Sequence, residues 1–405
     1  MTNVWLAIAA ASFSAVVALL LTDRLRRRRD EAVAYLKGVR SVISGDPDAA
    51  IEALSDAARL GSPEAVETYL ALGALFRREG DLTRAVRLHR NMLLGPDLPT
   101  VRRPEVEREL AEDYRRSGML TEAADIYTRL SPGDRLAAEG LRDVRVEQGD
   151  LAAAVAIQRT LAAGARASAE VASACRVAPD EPGGRGAAEA SVATGERAGV
   201  EDADDPILAH LLAAQARACA PRDPEAARGL ALEALAAGPE CADAWLALAE
   251  AEAARGAVDA ALAAVGRALD AQPRATPLGW TALAAVPDAA AASRFTAARV
   301  ARHPDDAALH VLHARALGRA GSRPEAFAAV RRAMELDRTG EIIFLLRELL
   351  REEQAFDPEE LAVRHDLLVA ALLRKGRAPR CGRCGADAPA RSWRCRRCGA
   401  WDAYA

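Results

Sequence analysis

Residues 245–273 read WLALAEAEAARGAVDAALAAVGRALDAQP, and their spacing decides the fold. Apolar residues recur three and four apart on both sides of Gly256, the period of an amphipathic α-helix and not of a strand. Trp245 and Leu248 pack within a first helix, and Ala249 lets a neighbouring helix approach. Gly256 makes the turn, Ala261 and Ala268 pack a second helix, and Pro273 ends it. The unit is a helix-turn-helix with a period of about 34 residues.

The same frame returns along the chain. Leu72, Gly73, Phe76, Gly80 and Ala85 fit it, and so do Leu110, Ala111, Tyr114, Gly118, Ala123 and Tyr127. Weaker copies run through Gly38, Gly45 and Ala50, through Gly149 and Ala154, through Ala227, Ala234 and Pro239, and through Ala314, Gly321, Ala326 and Ala333. The stretch 276–304 is degenerate, with Ala292 and Pro304 in frame. The frame resembles the tetratricopeptide consensus, repeated as about eight helix pairs. No single pair buries its apolar face alone, so the pairs must stack into a solenoid with a concave groove. Aromatic residues make up 4% of the chain, so Ala, Leu and Val must build the core.

The two ends differ from this pattern. Val4 to Leu21 is an 18-residue uncharged run, followed by Arg24 and Arg26 to Arg29. A bilayer span needs roughly 20 apolar residues. The arginines follow the run instead of preceding it, unlike a cleavable signal peptide. The charge layout predicts a single-pass transmembrane helix with the bulk of the chain in the cytoplasm; a buried or interfacial helix is the competing reading. At the other end, Cys381-Gly-Arg-Cys384 and Cys395-Arg-Arg-Cys398 form two CxxC turns ten residues apart. Two such turns present four thiolates to one ion, in a structural site with no open position. Two disulfides or unrelated thiols compete with that reading, and iron competes with zinc for the same four sulfurs. The flanking Trp393 and Trp401 are placed to pack against the repeats.

These signals divide the chain into an anchor and basic flank (1–29), an N-terminal array (30–163), a flexible insertion (164–206), a C-terminal array (207–340), terminal helices (341–378) and a rubredoxin-like metal ribbon (379–405). The insertion holds APDEPGGRGAAEAS and EDADDP and no apolar period, although Ala165 to Val177 suits a helix. The expected class is an all-α tetratricopeptide solenoid with an N-terminal transmembrane helix and a small C-terminal ribbon.

The 52 arginines stand against two lysines, Lys37 and Lys375, a bias that GC-rich coding produces, so arginine clusters carry little weight as evidence for phosphate binding. The net charge of −4 argues against a general nucleic-acid binder. From Leu373 onward, however, the chain is basic, so a nucleic-acid-binding ribbon is a third reading. Arg77, Arg78, Arg115 and Arg116, with Glu112 nearby, fall on groove-facing positions and are candidates for binding an acidic peptide; solvated arginines are the alternative. His310 and His313 sit three apart, as metal ligands on a helix do, but on core positions of a repeat. Cys175, Cys219 and Cys241 are isolated and read as small buried residues. No P-loop, GxGxxG, GxSxG or HExxH occurs, so no catalytic residue and no small-molecule substrate is expected.

The layout resembles the lipopolysaccharide assembly protein B family. The resemblance is carried by YLKGVRSVISGDPDAAIEAL (35–54), LALGALFRREGDLTRAVRLHRNML (70–93), DYRRSGMLTEAADIYTRL (113–130) and RCGRCGADAPARSWRCRRCGAW (380–401). It weakens at 164–206, where this chain carries extra residues. It implies an inner-membrane adaptor that works with the membrane protease FtsH to control degradation of the deacetylase LpxC. It also implies a ribbon docked on the repeats, with one structural Zn²⁺ or iron held by Cys381, Cys384, Cys395 and Cys398. A general membrane-anchored scaffold for another envelope assembly is the alternative.

Overall fold

The computed structural model describes residues 66–94, 98–176, 205–337, 379–388 and 391–404, with isolated positions between 19 and 49. Most of the expected anchor at 4–21, the first weak repeat at 38–50, most of the insertion and the terminal helices at 341–378 lie outside the described residues. Among the described residues no helix is long and apolar enough to cross a membrane.

Two compact units divide between Asp150 and Leu151. The first contains α1 (Val66–Glu79), α2 (Leu82–Leu94), α3 (Arg103–Arg116), α4 (Leu120–Leu130) and α5 (Arg135–Glu147). Successive helices pack as antiparallel pairs over Leu72, Leu75, Phe76, Ala85, Val106, Leu110 and Ala111. The second unit holds α6 (Leu151–Arg176), α7 (Pro206–Cys219), α8 (Pro224–Ala237), α9 (Ala242–Ala254) and α10 (Val258–Ala271). It continues with α11 (Trp280–Ala285), α12 (Ala289–Arg302), α13 (Ala307–Arg319), α14 (Arg323–Leu336) and the ribbon.

The division falls inside the expected N-terminal array because α6 is tied to α7 and α8. Gln158 Nε2 donates to both Asp205 oxygens, at 3.1 and 2.9 Å, and Arg159 pairs with Glu233. Asp205 also caps α7 by accepting from the Leu208 amide, with Pro206 at the first turn. Asp223 and Pro224 start α8 the same way. Such a cap stabilises a helix by about 1 kcal/mol.

The repeat frame read from 245–273 is the frame of the structure. Leu248, Ala249, Ala261 and Ala268 are buried, and Trp245 donates from Nε1 to the Pro239 carbonyl at 2.9 Å. At the turn, Gly256 has φ +78°, and the Ala257 amide reaches back to the Glu252 carbonyl at 2.9 Å. That closure needs a left-handed residue, which glycine adopts without cost. Gly80, Gly118, Gly149 and Gly321 make the same turn in their own repeats.

The degenerate stretch also has a physical reason. Pro277 has no amide hydrogen and clashes with the preceding turn of an α-helix. Residues Pro273–Gly279 form a 3₁₀ segment, and α11 is only six residues long.

Candidate metal centre and its seat on the repeats

The two CxxC turns fold as matching knuckles. In the first, the Gly385 amide donates to the Cys381 carbonyl at 2.8 Å and the Cys381 amide to Ala386 at 2.9 Å. In the second, Gly399 donates to Cys395 and Cys395 to Ala400, each at 2.8 Å. Gly385 and Gly399 both take positive φ just beyond the second cysteine.

The knuckles face each other. Cys381 Sγ lies 3.7 Å from Cys398 Sγ, and Cys384 Sγ lies 3.8 Å from Cys395 Sγ. All four sulfurs fall within 4.8 Å of one another. Tetrahedral bonds of about 2.3 Å place sulfurs roughly 3.8 Å apart, whereas a disulfide needs about 2.05 Å. The set is therefore compatible with a metal-binding site.

Its electrostatics point the same way. Burial pushes the Cys395 thiol up, but the Tyr404 hydroxyl and the backbone amides of Cys398 and Arg397 outweigh it and bring the thiol to about 6. Burial and the three neighbouring sulfurs push Cys398 up to about 12. Crowded sulfurs resist sharing negative charge until a cation lies between them.

The last residues stitch the knuckles together. Tyr404 bridges Cys381, and the Gly382 amide donates to the Ala403 carbonyl at 2.6 Å. Trp401 bridges Arg394, and the Asp402 amide donates to the Trp393 carbonyl at 2.8 Å. Between these contacts Asp402 takes φ +48°, the one described non-glycine residue with positive φ.

This stitched segment is what meets the repeats. Trp401 stacks on the His210 ring with centroids 4.9 Å apart and planes 13° apart, and Trp393 lies tilted at 5.6 Å. Trp393 also packs against the apolar core of the second unit. His210, only 1% exposed, reaches Asp402 Oδ2 from Nε2 at 2.9 Å and Asp243 Oδ2 from Nδ1 at 2.7 Å. Ionised carboxylates only accept, so both ring nitrogens must donate and the ring is an imidazolium. Burial alone would lower its pKa, but the bonds to Asp243 and Asp402 raise it to about 12. Arg217 holds the other oxygen of Asp243, and its Nε donates to Glu250 at 3.2 Å. Arg391 adds a bond to the Arg274 carbonyl at 3.1 Å, in the 3₁₀ segment that replaces a helix.

The expected contact of Trp393 and Trp401 with the array is thus present, and its centre is His210, which sequence reasoning passed over. A lone histidine in the apolar run ILAHLLAA (207–214) was the available signal.

The other singled-out residues have their own partners. Arg77 bonds Glu109 at 2.6 Å and Asp113 at 2.8 Å. Arg115 bonds Glu112 at 2.7 Å and Glu147 at 2.6 Å, and Arg116 bonds Glu112 at 2.8 Å. Arg78 is exposed. His310 meets the Pro304 carbonyl and His313 meets Thr296 Oγ1, each at 2.9 Å. Cys241 is buried, Cys219 is half-buried, and Cys175 lies where no side chain is described.

A family profile for the tetratricopeptide repeat matches residues 43–92 and 210–276. Lipopolysaccharide assembly protein B of Escherichia coli K12 is 30% identical over 97 residues, 24% of this chain and 25% of that protein. Its Haemophilus influenzae counterpart is 27% identical over 119 residues, 28% of this chain and 30% of that protein. Parts of the chain are thus similar to the tetratricopeptide repeat and to lipopolysaccharide assembly protein B. The matches span about a quarter to a third of the length of those relatives. Among solved structures, the C-terminal part of a repeat protein from Cytophaga hutchinsonii is 11% identical, covers 77% of this chain and 99% of its own, and has a TM-score of 0.43. A repeat protein from Parabacteroides merdae is 15% identical, covers 85% and 99%, and has a TM-score of 0.35.

Proposed function

We propose that this chain is an adaptor in lipopolysaccharide assembly, anchored in the inner membrane through residues 4–21 and working from the cytoplasmic side. The likeness to lipopolysaccharide assembly protein B carries this reading. A repeat solenoid acts by holding partners together and not by catalysis. The partners that the resemblance offers are FtsH and LpxC, with the chain presenting the deacetylase to the protease. Confinement to one membrane surface would raise their effective concentration without a tight contact.

In this reading Cys381, Cys384, Cys395 and Cys398 hold one structural Zn²⁺, a site iron shares in chemistry, and the metal keeps the ribbon folded. Metal analysis of freshly purified, reduced protein should find one ion per chain, and Cys395→Ser should release it while the repeats stay helical. Arg77, Arg78, Glu112, Arg115 and Arg116 remain the proposed partner face. An acidic segment binding there exchanges with Glu109, Glu112 and Glu147 for the guanidiniums, because those carboxylates already hold Arg77, Arg115 and Arg116.

Depletion in cells decides the functional reading. LpxC should become longer-lived and lipopolysaccharide should rise. A chain lacking residues 1–30 should bind client yet fail to restore turnover. An unchanged LpxC lifetime replaces this reading with a general membrane-anchored scaffold.

A further inference from the structure

The contact between ribbon and array joins two parts that each need something to be in shape. On the array side, His210 is held from within the array, because Asp243 holds its Nδ1 and Arg217 holds Asp243. On the ribbon side, Asp402 and Trp401 are not fixed by their own stretch of chain. They lie on a segment hydrogen-bonded to the first knuckle through Gly382 and to the second through Trp393. Tied to both knuckles, that segment takes the left-handed turn at Asp402, and Asp402 Oδ2 meets His210 Nε2 at 2.9 Å. The four sulfurs hold the knuckles together, and they do so when an ion joins them.

We infer that seating of the ribbon on His210 and metal loading of the four cysteines are one coupled equilibrium, so that the repeat array reports whether the ribbon carries metal. The inference rests on the metal reading above. Coupling of binding is reciprocal: if metal strengthens docking, docking strengthens metal retention by the same factor. Loss of metal then frees Trp393 and Trp401 and opens the His210 seat to solvent. The array is then altered at His210, 192 residues in sequence from the Asp402 that seats on it.

The test uses the full zinc-loaded chain in two directions. In the first, zinc release to a colorimetric chelator is followed for wild type, Asp402→Asn and His210→Ala. Asparagine tolerates the left-handed turn, so Asp402→Asn removes the charge and leaves the ribbon's path. Release should quicken roughly tenfold in both variants. Release within twofold of wild type in Asp402→Asn overturns the coupling, and that variant decides the matter if His210→Ala disturbs the array. In the second direction, zinc is stripped from wild type and hydrogen exchange is measured. Protection should fall at 400–404 and around His210 and Asp243, with α12 unchanged. A seat that keeps its protection without zinc overturns the inference while leaving the metal reading intact. Protein that holds no stoichiometric metal overturns both.

Discussion

His89 and His210 stand in nearly the same chemical surroundings in the two units. Each is fully buried, and each reaches an aspartate from Nδ1, Asp113 at 2.6 Å and Asp243 at 2.7 Å. In each unit an arginine holds the other oxygen of that aspartate, Arg77 in the first and Arg217 in the second. They differ at Nε2. In His89 that atom has no hydrogen-bond partner among the described residues and lies against Gly73, whereas in His210 it meets Asp402 of the ribbon. A histidine–aspartate–arginine set can thus be purely internal packing or half of a docking site. What surrounds the second nitrogen decides which.

The largest test of this comparison removes the aspartates. Asp113→Ala and Asp243→Ala each leave a buried histidine and a mostly buried arginine without their shared carboxylate. Removing one partner of such a buried set costs about 3–5 kcal/mol. Both variants should lower the unfolding free energy measured by urea titration by amounts of that order. Only Asp243→Ala should also change the tryptophan fluorescence of the ribbon, because only it disturbs the Trp401 stack. An equal fluorescence change in both variants would break the comparison.

Gly73 sharpens the picture of His89. A methyl group added there would sit 2.3 Å from His89 Nε2. Gly73→Ala should therefore cost about 1–3 kcal/mol by overpacking. His89→Ala in the same chain should recover part of that loss. Gly256 makes the opposite case, with nothing within 4 Å of an added methyl but φ +78°. Gly256→Ala should cost about 1 kcal/mol through backbone strain alone, and no neighbouring substitution should restore it.

Much of this was legible in sequence, for definable reasons. The repeat frame shows because Leu248, Ala249, Ala261 and Ala268 obey a local period, and a local period survives in one dimension. The knuckles show because CxxC spacing is itself the geometry of the site. Even the ribbon's contact with the array is hinted at by Trp393 and Trp401. His210 is not legible, because its meaning comes from Asp243 and Asp402, which the fold brings together. The arginines at 77 and 115 share this limit. Arg116 pairs with Glu112 four residues away on its own helix, but the pairs of Arg77 with Glu109 and of Arg115 with Glu147 join neighbouring helices.

A pH titration separates an imidazolium from a packed ring. The pKa of His210 is raised to about 12 from an ordinary 6.5. A base with a raised folded value contributes most below its unfolded value. That contribution is complete below about pH 6.5 and declines as pH rises toward about 12. The slope cannot exceed about 1.4 kcal/mol per pH unit. Stability of the second unit should fall between about pH 7 and 9, and His210→Gln should flatten that part of the profile. An unchanged slope in the variant would show that another group titrates there.

The smallest expected effect concerns surface pairs, and it tests whether the contrast between the units belongs to buried charge. Arg116 bonds Glu112 in the first unit, and Arg228 bonds Glu252 at the same 2.8 Å in the second. The two guanidiniums are 33% and 42% exposed, so water and salt screen both. Exposed pairs of this kind contribute about 0–1 kcal/mol. Arg116→Gln and Arg228→Gln should therefore shift urea midpoints by similar small amounts, and added salt should shrink both shifts. Neither should alter zinc release, since neither side chain is part of the His210 seat. A loss of about 2 kcal/mol in one unit and not the other would move the asymmetry out to the surface network. The distinction drawn at the second imidazole nitrogen would then account for only part of it.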